Sequence, residues 1–146
     1  MSRILLLLVV SFLTSCGSSY HSAFQKSKKQ ELPKSSVEGA WKGTWKSEVN
    51  GHHGPIWCIV SENQKTANLW DFRYRAGWGV LQFGDYLHQV PTQLNRQGNL
   101  LVDGKMTLPN NFGTYSVKGE ITPNQFQLRY QGSGDRGTMT LTRPTP

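Results

Sequence analysis

From Gly39 onward the chain alternates oily and wet residues with a period of two, and no stretch holds the 3.6-residue period of a helix for more than a turn. This pattern admits few folds. The segment "GAWKGTWKS" sets Trp41, Gly43 and Trp45 against Lys42, Thr44 and Lys46, which makes a strand with one dry and one wet face. The alternation continues. Ile56, Cys58 and Val60 share a face, as do Trp70, Phe72 and Tyr74. Leu81, Phe83 and Leu87 follow, then Leu100, Val102 and Met106, then Tyr115, Val117, Gly119 and Ile121. Phe126, Leu128 and Tyr130, and finally Met139, Leu141 and Arg143, complete eight segments. Turn formers separate them, among them Asn50-Gly51, Gln97-Gly98-Asn99, Thr122-Pro123-Asn124 and Gly134-Asp135. The chain is therefore expected to be all-β. Eight antiparallel, hairpin-linked strands close most simply into an up-and-down barrel, which leaves no exposed edge. Alternation by itself fits a two-sheet β-sandwich as well.

The 146 residues allow one domain, and 15 glycines suit a fold rich in turns. The net charge of +7 is not evenly placed. Lys26, Lys28, Lys29 and Lys34 crowd one short segment against Glu31 alone, whereas from Glu38 onward eleven Lys and Arg face eight Asp and Glu. The folded part is thus near +3, with its basic residues spread along strands. A nucleic-acid binder concentrates positive charge in a patch or groove, so nucleic acid is not an expected partner.

Two features favour the barrel. The first strand repeats Gly-x-Trp, as Gly39-x-Trp41 and Gly43-x-Trp45, and the last ends on Arg143. This resembles the signature of the calycin superfamily, which includes lipocalins, fatty-acid-binding proteins and avidins. The resemblance implies that Trp41 packs beneath the basic side chain of Arg143 at the closed end of the barrel. The geometry agrees, because antiparallel pairing of first and last strands sets the start of one beside the end of the other. Arg143 shares parity with inward Met139 and Leu141. A guanidinium stacked on an indole contributes about 0.5–2 kcal/mol.

The N-terminus carries a different signal. Ile4 to Leu13 is almost continuously apolar, too short for a bilayer span but of the length of a signal-peptide core. It ends in Leu13-Thr14-Ser15-Cys16, which resembles the bacterial lipobox. The resemblance implies a leader at residues 1–15, cleavage before Cys16, and a diacylglyceryl thioether on that thiol. The membrane is then the first partner, through lipid on Cys16. Gly17, in place of aspartate, implies the outer membrane of a Gram-negative cell envelope. Residues 16–37, rich in Ser and Lys and containing Pro33, read as a flexible basic tether to a domain at 38–146. Cys58 is left without an intrachain partner. The pattern Gly-x-Trp-x-Gly-x-Trp, Asn50-Gly51-His52-x-Gly54 and Asp135-Arg136-Gly137-Thr138-x-x-Leu141-x-Arg143-Pro144 is similar to that of a group of small bacterial lipoproteins, which brings no activity with it.

Reactive residues are sparse. In "NGHHGPIWC" two histidines and a thiol lie close, but His52 and His53 are adjacent and no second cluster completes a zinc site. A nucleophilic Cys58 would need a base such as His53 and an acid such as Asp71. No complete catalytic constellation, metal site or cofactor motif can be named, and no enzyme is expected. Nine large rings fall on the inward face: Trp41, Trp45, Trp70, Phe72, Tyr74, Phe83, Tyr115, Phe126 and Tyr130. They argue for a mostly filled interior with an apolar slot at one mouth. The expected ligand is small and apolar or aromatic, lined by His52, Trp70, Phe72, Tyr74 and Phe83. The alternative is a packed barrel whose Trp57, Trp78 and His52–His53 loop contact an envelope protein or glycan.

Overall fold

A computed structural model describes residues 15–107 and 113–145. Helix α1 (Ser15–Lys28) precedes eight strands: β1 (Gly39–Ser47), β2 (His53–Glu62), β3 (Leu69–Trp78), β4 (Leu81–Pro91), β5 (Leu100–Thr107), β6 (Thr114–Ile121), β7 (Phe126–Gln131) and β8 (Arg136–Thr142). They form one antiparallel sheet in the order β4-β3-β2-β1-β8-β7-β6-β5. First and last strands are laced together from Lys42↔Thr142 to Ser47↔Gly137. The fold is a nearly closed up-and-down barrel.

The closed end is held by Arg143. Its guanidinium carbon lies 3.9 Å from the centre of the Trp41 ring. Nη1 donates to the Glu38 carbonyl at 2.6 Å, Nε to the Pro123 carbonyl at 3.1 Å, and Nη2 to the Ser36 carbonyl. The Trp41 indole N–H in turn donates to the Val37 carbonyl at 3.0 Å. One side chain thus joins the chain entering β1, the β6–β7 turn and the end of β8.

Three features depart from the expected meander. The first is β4, where Leu81, Phe83 and Leu87 do not share one inward face. Tyr74 pairs with Tyr86 and Ala76 with Phe83, so two steps along β3 match three along β4. The extra residue is a bulge at Gly84–Asp85, with Gly84 at φ +82°. It reverses parity, so His88 and Val90 turn inward and are buried, while Leu87 is left 51% exposed.

The second is the seam between β4 and β5, which lacks a ladder. Among the described residues, the polar links near it include one bridge, Leu94↔Leu100, and a bond from the Thr92 hydroxyl to the Leu101 carbonyl at 2.7 Å. Side chains fill what backbone bonds do not. A Cβ on Gly104 of β5 would stand 2.8 Å from a Val90 methyl and 3.2 Å from His88 Nε2, so glycine lets those two side chains lie across the gap.

The third is the segment expected to be a loose tether. Instead α1 covers the outer face of the sheet, burying Tyr20 and Phe24 against Ala40, Trp57 and Ile59. The Tyr20 hydroxyl donates to the Arg73 carbonyl at 3.1 Å, and the guanidiniums of Arg73 and Arg75 lie 5.3 and 6.0 Å from its ring. Two rings four residues apart occupy one helical face, and the outward apolar residues of β1 and β2 require a cover. Val37 also belongs to the main core, so packing reaches upstream of residue 38. The expected leader falls almost wholly outside the described residues. Of Leu13-Thr14-Ser15-Cys16, only the backbone of the last two is described, at the start of α1.

Candidate functional site: a cavity at the open rim

The rings are not distributed evenly along the barrel. Trp41, Phe72, Phe126, Leu100, Ile121 and Leu141 fill the closed half and are buried. Trp41 and Phe126 meet at 5.7 Å between ring centres, Phe72 and Phe126 at 6.4 Å. Toward the opposite end the filling stops, and a cavity of about 560 Å3 opens to the rim.

Six rings form its walls: Trp45, Tyr74, Phe83, Tyr86, Tyr115 and Tyr130. Ile56, Ala76, Met106 and Met139 fill the spaces between them, and the β7–β8 turn, Gly132 to Asp135, makes one lip. Strand alternation delivers five of the rings, the β4 bulge delivers Tyr86, and several are pinned. The Trp45 indole N–H donates to the Gly77 carbonyl at 2.9 Å. Tyr115 and Tyr130, on paired strands, stack at 6.0 Å and 23°. The Tyr130 hydroxyl donates to Asp135 Oδ2 at 2.9 Å, and Asp135 Oδ1 accepts from the Ser47 hydroxyl at 2.6 Å and the Arg136 amide at 2.8 Å. Ser47 is itself buried, so the carboxylate is set firmly into the rim.

Burial raises the pKa of Tyr74, Tyr115 and Tyr130, so the phenols stay neutral. Among the described residues the buried Tyr74 hydroxyl has no hydrogen-bond partner of good geometry, and the Cys58 thiol beside it adds to the rise in its pKa. Behind the wall lies His88, 1% exposed, its ring 6.4 Å from that of Tyr115. Among the described residues neither ring nitrogen has a hydrogen-bond partner of good geometry. Burial lowers its pKa, and the nearby Lys105 backbone opposes this.

The five residues expected to line a ligand separate into three groups. Tyr74 and Phe83 are in the wall. Trp70 and Phe72 belong to the solid core below it. His52 is an exposed turn residue, stacked on Trp78 with ring centres 4.9 Å apart. Tyr86 was not expected, because it faces the cavity only through the bulge; a glycine inside a strand pattern was the available signal. Asp135 read only as a turn former.

The residues considered for chemistry do not converge. Cys58 is free and wholly buried, and burial pushes its thiol pKa well up. His53 is exposed at the start of β2, its ring nitrogen 3.3 Å from the Gly51 carbonyl. Asp71 accepts from Asn63 and Gln89 in an exposed cluster outside the barrel. Among the described residues no group of three or more His, Cys, Asp or Glu is arranged to hold a metal, and no helix is long and apolar enough to cross a membrane. No protein-family model matches the chain, and no curated protein or solved structure is significantly similar to it.

Proposed function

We propose that this chain is a non-catalytic, lipid-anchored protein of the bacterial envelope whose barrel takes up a small apolar or aromatic ligand through its open rim. One observation carries the reading: a 560 Å3 cavity, walled by rings and thioethers, at the end opposite the Arg143 plug. Small-molecule sites are usually clefts of about 300–1,000 Å3 with mostly apolar walls and a few polar groups. The stacking of Arg143 on Trp41 supports the kinship with calycins that the sequence motif suggests. The anchor rests on the lipobox at Leu13–Cys16 and predicts outer-membrane fractionation.

The test uses N-phenyl-1-naphthylamine as an apolar fluorescent probe. Wild type should bind it, and Ala76→Trp, which fills the cavity from β3, should lose at least about tenfold in affinity while the circular dichroism spectrum is kept. Equal binding by the two proteins would refute the cavity reading. Mass spectrometry of the membrane fraction tests the anchor separately: diacylglyceryl mass on Cys16, absent in Cys16→Ser. A surface reading is favoured by one observation, the exposed His52–Trp78 stack beside Val80, which is 99% exposed. Under that reading an envelope protein or glycan docks at the β3–β4 tip, and Trp78→Ala abolishes its capture while probe binding is kept.

A further inference from the structure

The electrostatics of the cavity limit what can enter it. Among the described residues its lining contains no Lys, Arg or His. Its phenols are held neutral by burial. Asp135, the acidic residue of the lining, sits at the lip with both oxygens engaged by neutral donors: the Ser47 and Tyr130 hydroxyls and the Arg136 amide. Those bonds orient the carboxylate without neutralising its charge. The nearby cations stay outside. The Lys46 and Arg136 side chains are exposed to solvent, and Arg129 is paired with Glu48 at 2.6 Å.

Ring faces carry negative quadrupole charge and ring edges positive charge. Six rings drawn from five strands surround the space, and the stacked Tyr115–Tyr130 pair lies beside the Asp135 lip. Two thioethers, Met106 and Met139, add polarisable surface. An organic carboxylate entering such a site would lose its water and meet no donor of opposite charge, which is costly. An alkylated ammonium loses little hydration, lies against ring faces and meets a fixed carboxylate at the mouth.

We infer that the ligand is a small organic cation, an alkylated or quaternary ammonium on an apolar or aromatic body, held by the six rings and drawn in by Asp135. This rests on the reading of the cavity as a ligand site and specifies its chemistry.

The experiment compares three probes of similar shape on the full-length protein by titration calorimetry: phenyltrimethylammonium, its uncharged isostere tert-butylbenzene, and benzoate. The ammonium should bind about tenfold or more tightly than the uncharged isostere, and benzoate should bind weakest. Asp135→Asn should shrink the ratio of ammonium to tert-butylbenzene affinity. Asp135 also ties the β7–β8 turn to β1, so Tyr86→Leu at the exposed rim is the second variant. It should reduce ammonium affinity several-fold more than that of the isostere. Equal or tighter binding of tert-butylbenzene or benzoate would overturn the inference of charge and leave the cavity reading standing. Failure of all three to bind would overturn both.

Discussion

Removing Arg143 tests the barrel at the point where its ends meet. In Arg143→Ala, three backbone carbonyls, of Glu38, Ser36 and Pro123, lose a charged donor, and Trp41 loses the guanidinium 3.9 Å above its ring. Hydrogen bonds to charged groups have a net value of about 1.5–3 kcal/mol each when buried. This side chain is only half-buried, so water can replace part of each bond, and about 1 kcal/mol apiece is the appropriate figure. The cation–π contact adds about 0.5–2 kcal/mol. The expected loss is about 3–5 kcal/mol, which for a domain of this size lowers Tm by roughly 10–20 °C. Urea and thermal unfolding followed by circular dichroism measure it directly. Arg143→Lys should recover less than half, because an ammonium cannot stack as a plane or reach three carbonyls at once. In a double-mutant cycle with Trp41→Leu, which removes the aromatic face, the coupling should be about 0.5–2 kcal/mol. A loss below about 1 kcal/mol in Arg143→Ala, or strict additivity in the cycle, would refute the account of the plug. Well below the melting point, the same variant should bind N-phenyl-1-naphthylamine as wild type does, since the cavity lies at the other end.

His88 gives a pH signature. Its folded pKa lies below the ordinary histidine value of 6.5, so the unfolded chain takes up a proton first as pH falls. The contribution to stability is intact above pH 6.5 and is lost progressively below it. Urea midpoints measured from pH 7.5 to pH 5 should fall, and His88→Leu should flatten that slope; an unchanged slope in the variant would exclude His88 as the source. Phe24→Ala should cost about 1–3 kcal/mol and abolish amide protection along α1 in hydrogen exchange while β1 to β8 stay protected; full protection of α1 would show that the helix does not depend on this contact. Cys58 should react with Ellman's reagent orders of magnitude more slowly in the native protein than in urea. Fast native labelling of Cys58, located by peptide mapping, would contradict its burial.

The strands could be read from the sequence because the period-two signal is local: every segment except β4 announces its own inner face. The Trp41–Arg143 contact was legible for a related reason, since parity and antiparallel pairing alone bring those two positions together. The bulge in β4 was not, because a single inserted residue changes the phase of everything after it while the residue types still look strand-like. Helix α1 is a tertiary effect. Its serines and lysines carry little apolar signal, and what holds it is an apolar outer surface on strands distant in the chain. Trp57, expected on an exposed contact surface, is instead packed under α1, so its outward position marked an internal cover and not a docking face. The size of the cavity lay beyond sequence reading for another reason. Counting rings gives their number, but whether they fill the barrel depends on their height along its axis, and that is set by strand stagger.

The strapped helix changes what an anchor at Cys16 would do. A leash lets its load roam and tumble; a strut dictates a pose. The 14-residue α1, about 21 Å long, points its N-terminal half toward the open rim, where Tyr20 and His21 share a recess with Gln82 of β4. It ends near the closed pole, where Lys28 and Leu32 border Arg143. Acyl chains on Cys16 would therefore hold the barrel mouth-down at close range to the bilayer. Relaxation enhancement from spin-labelled lipids should then be stronger at Val80 than at Thr66, and the reverse gradient would rule out that pose.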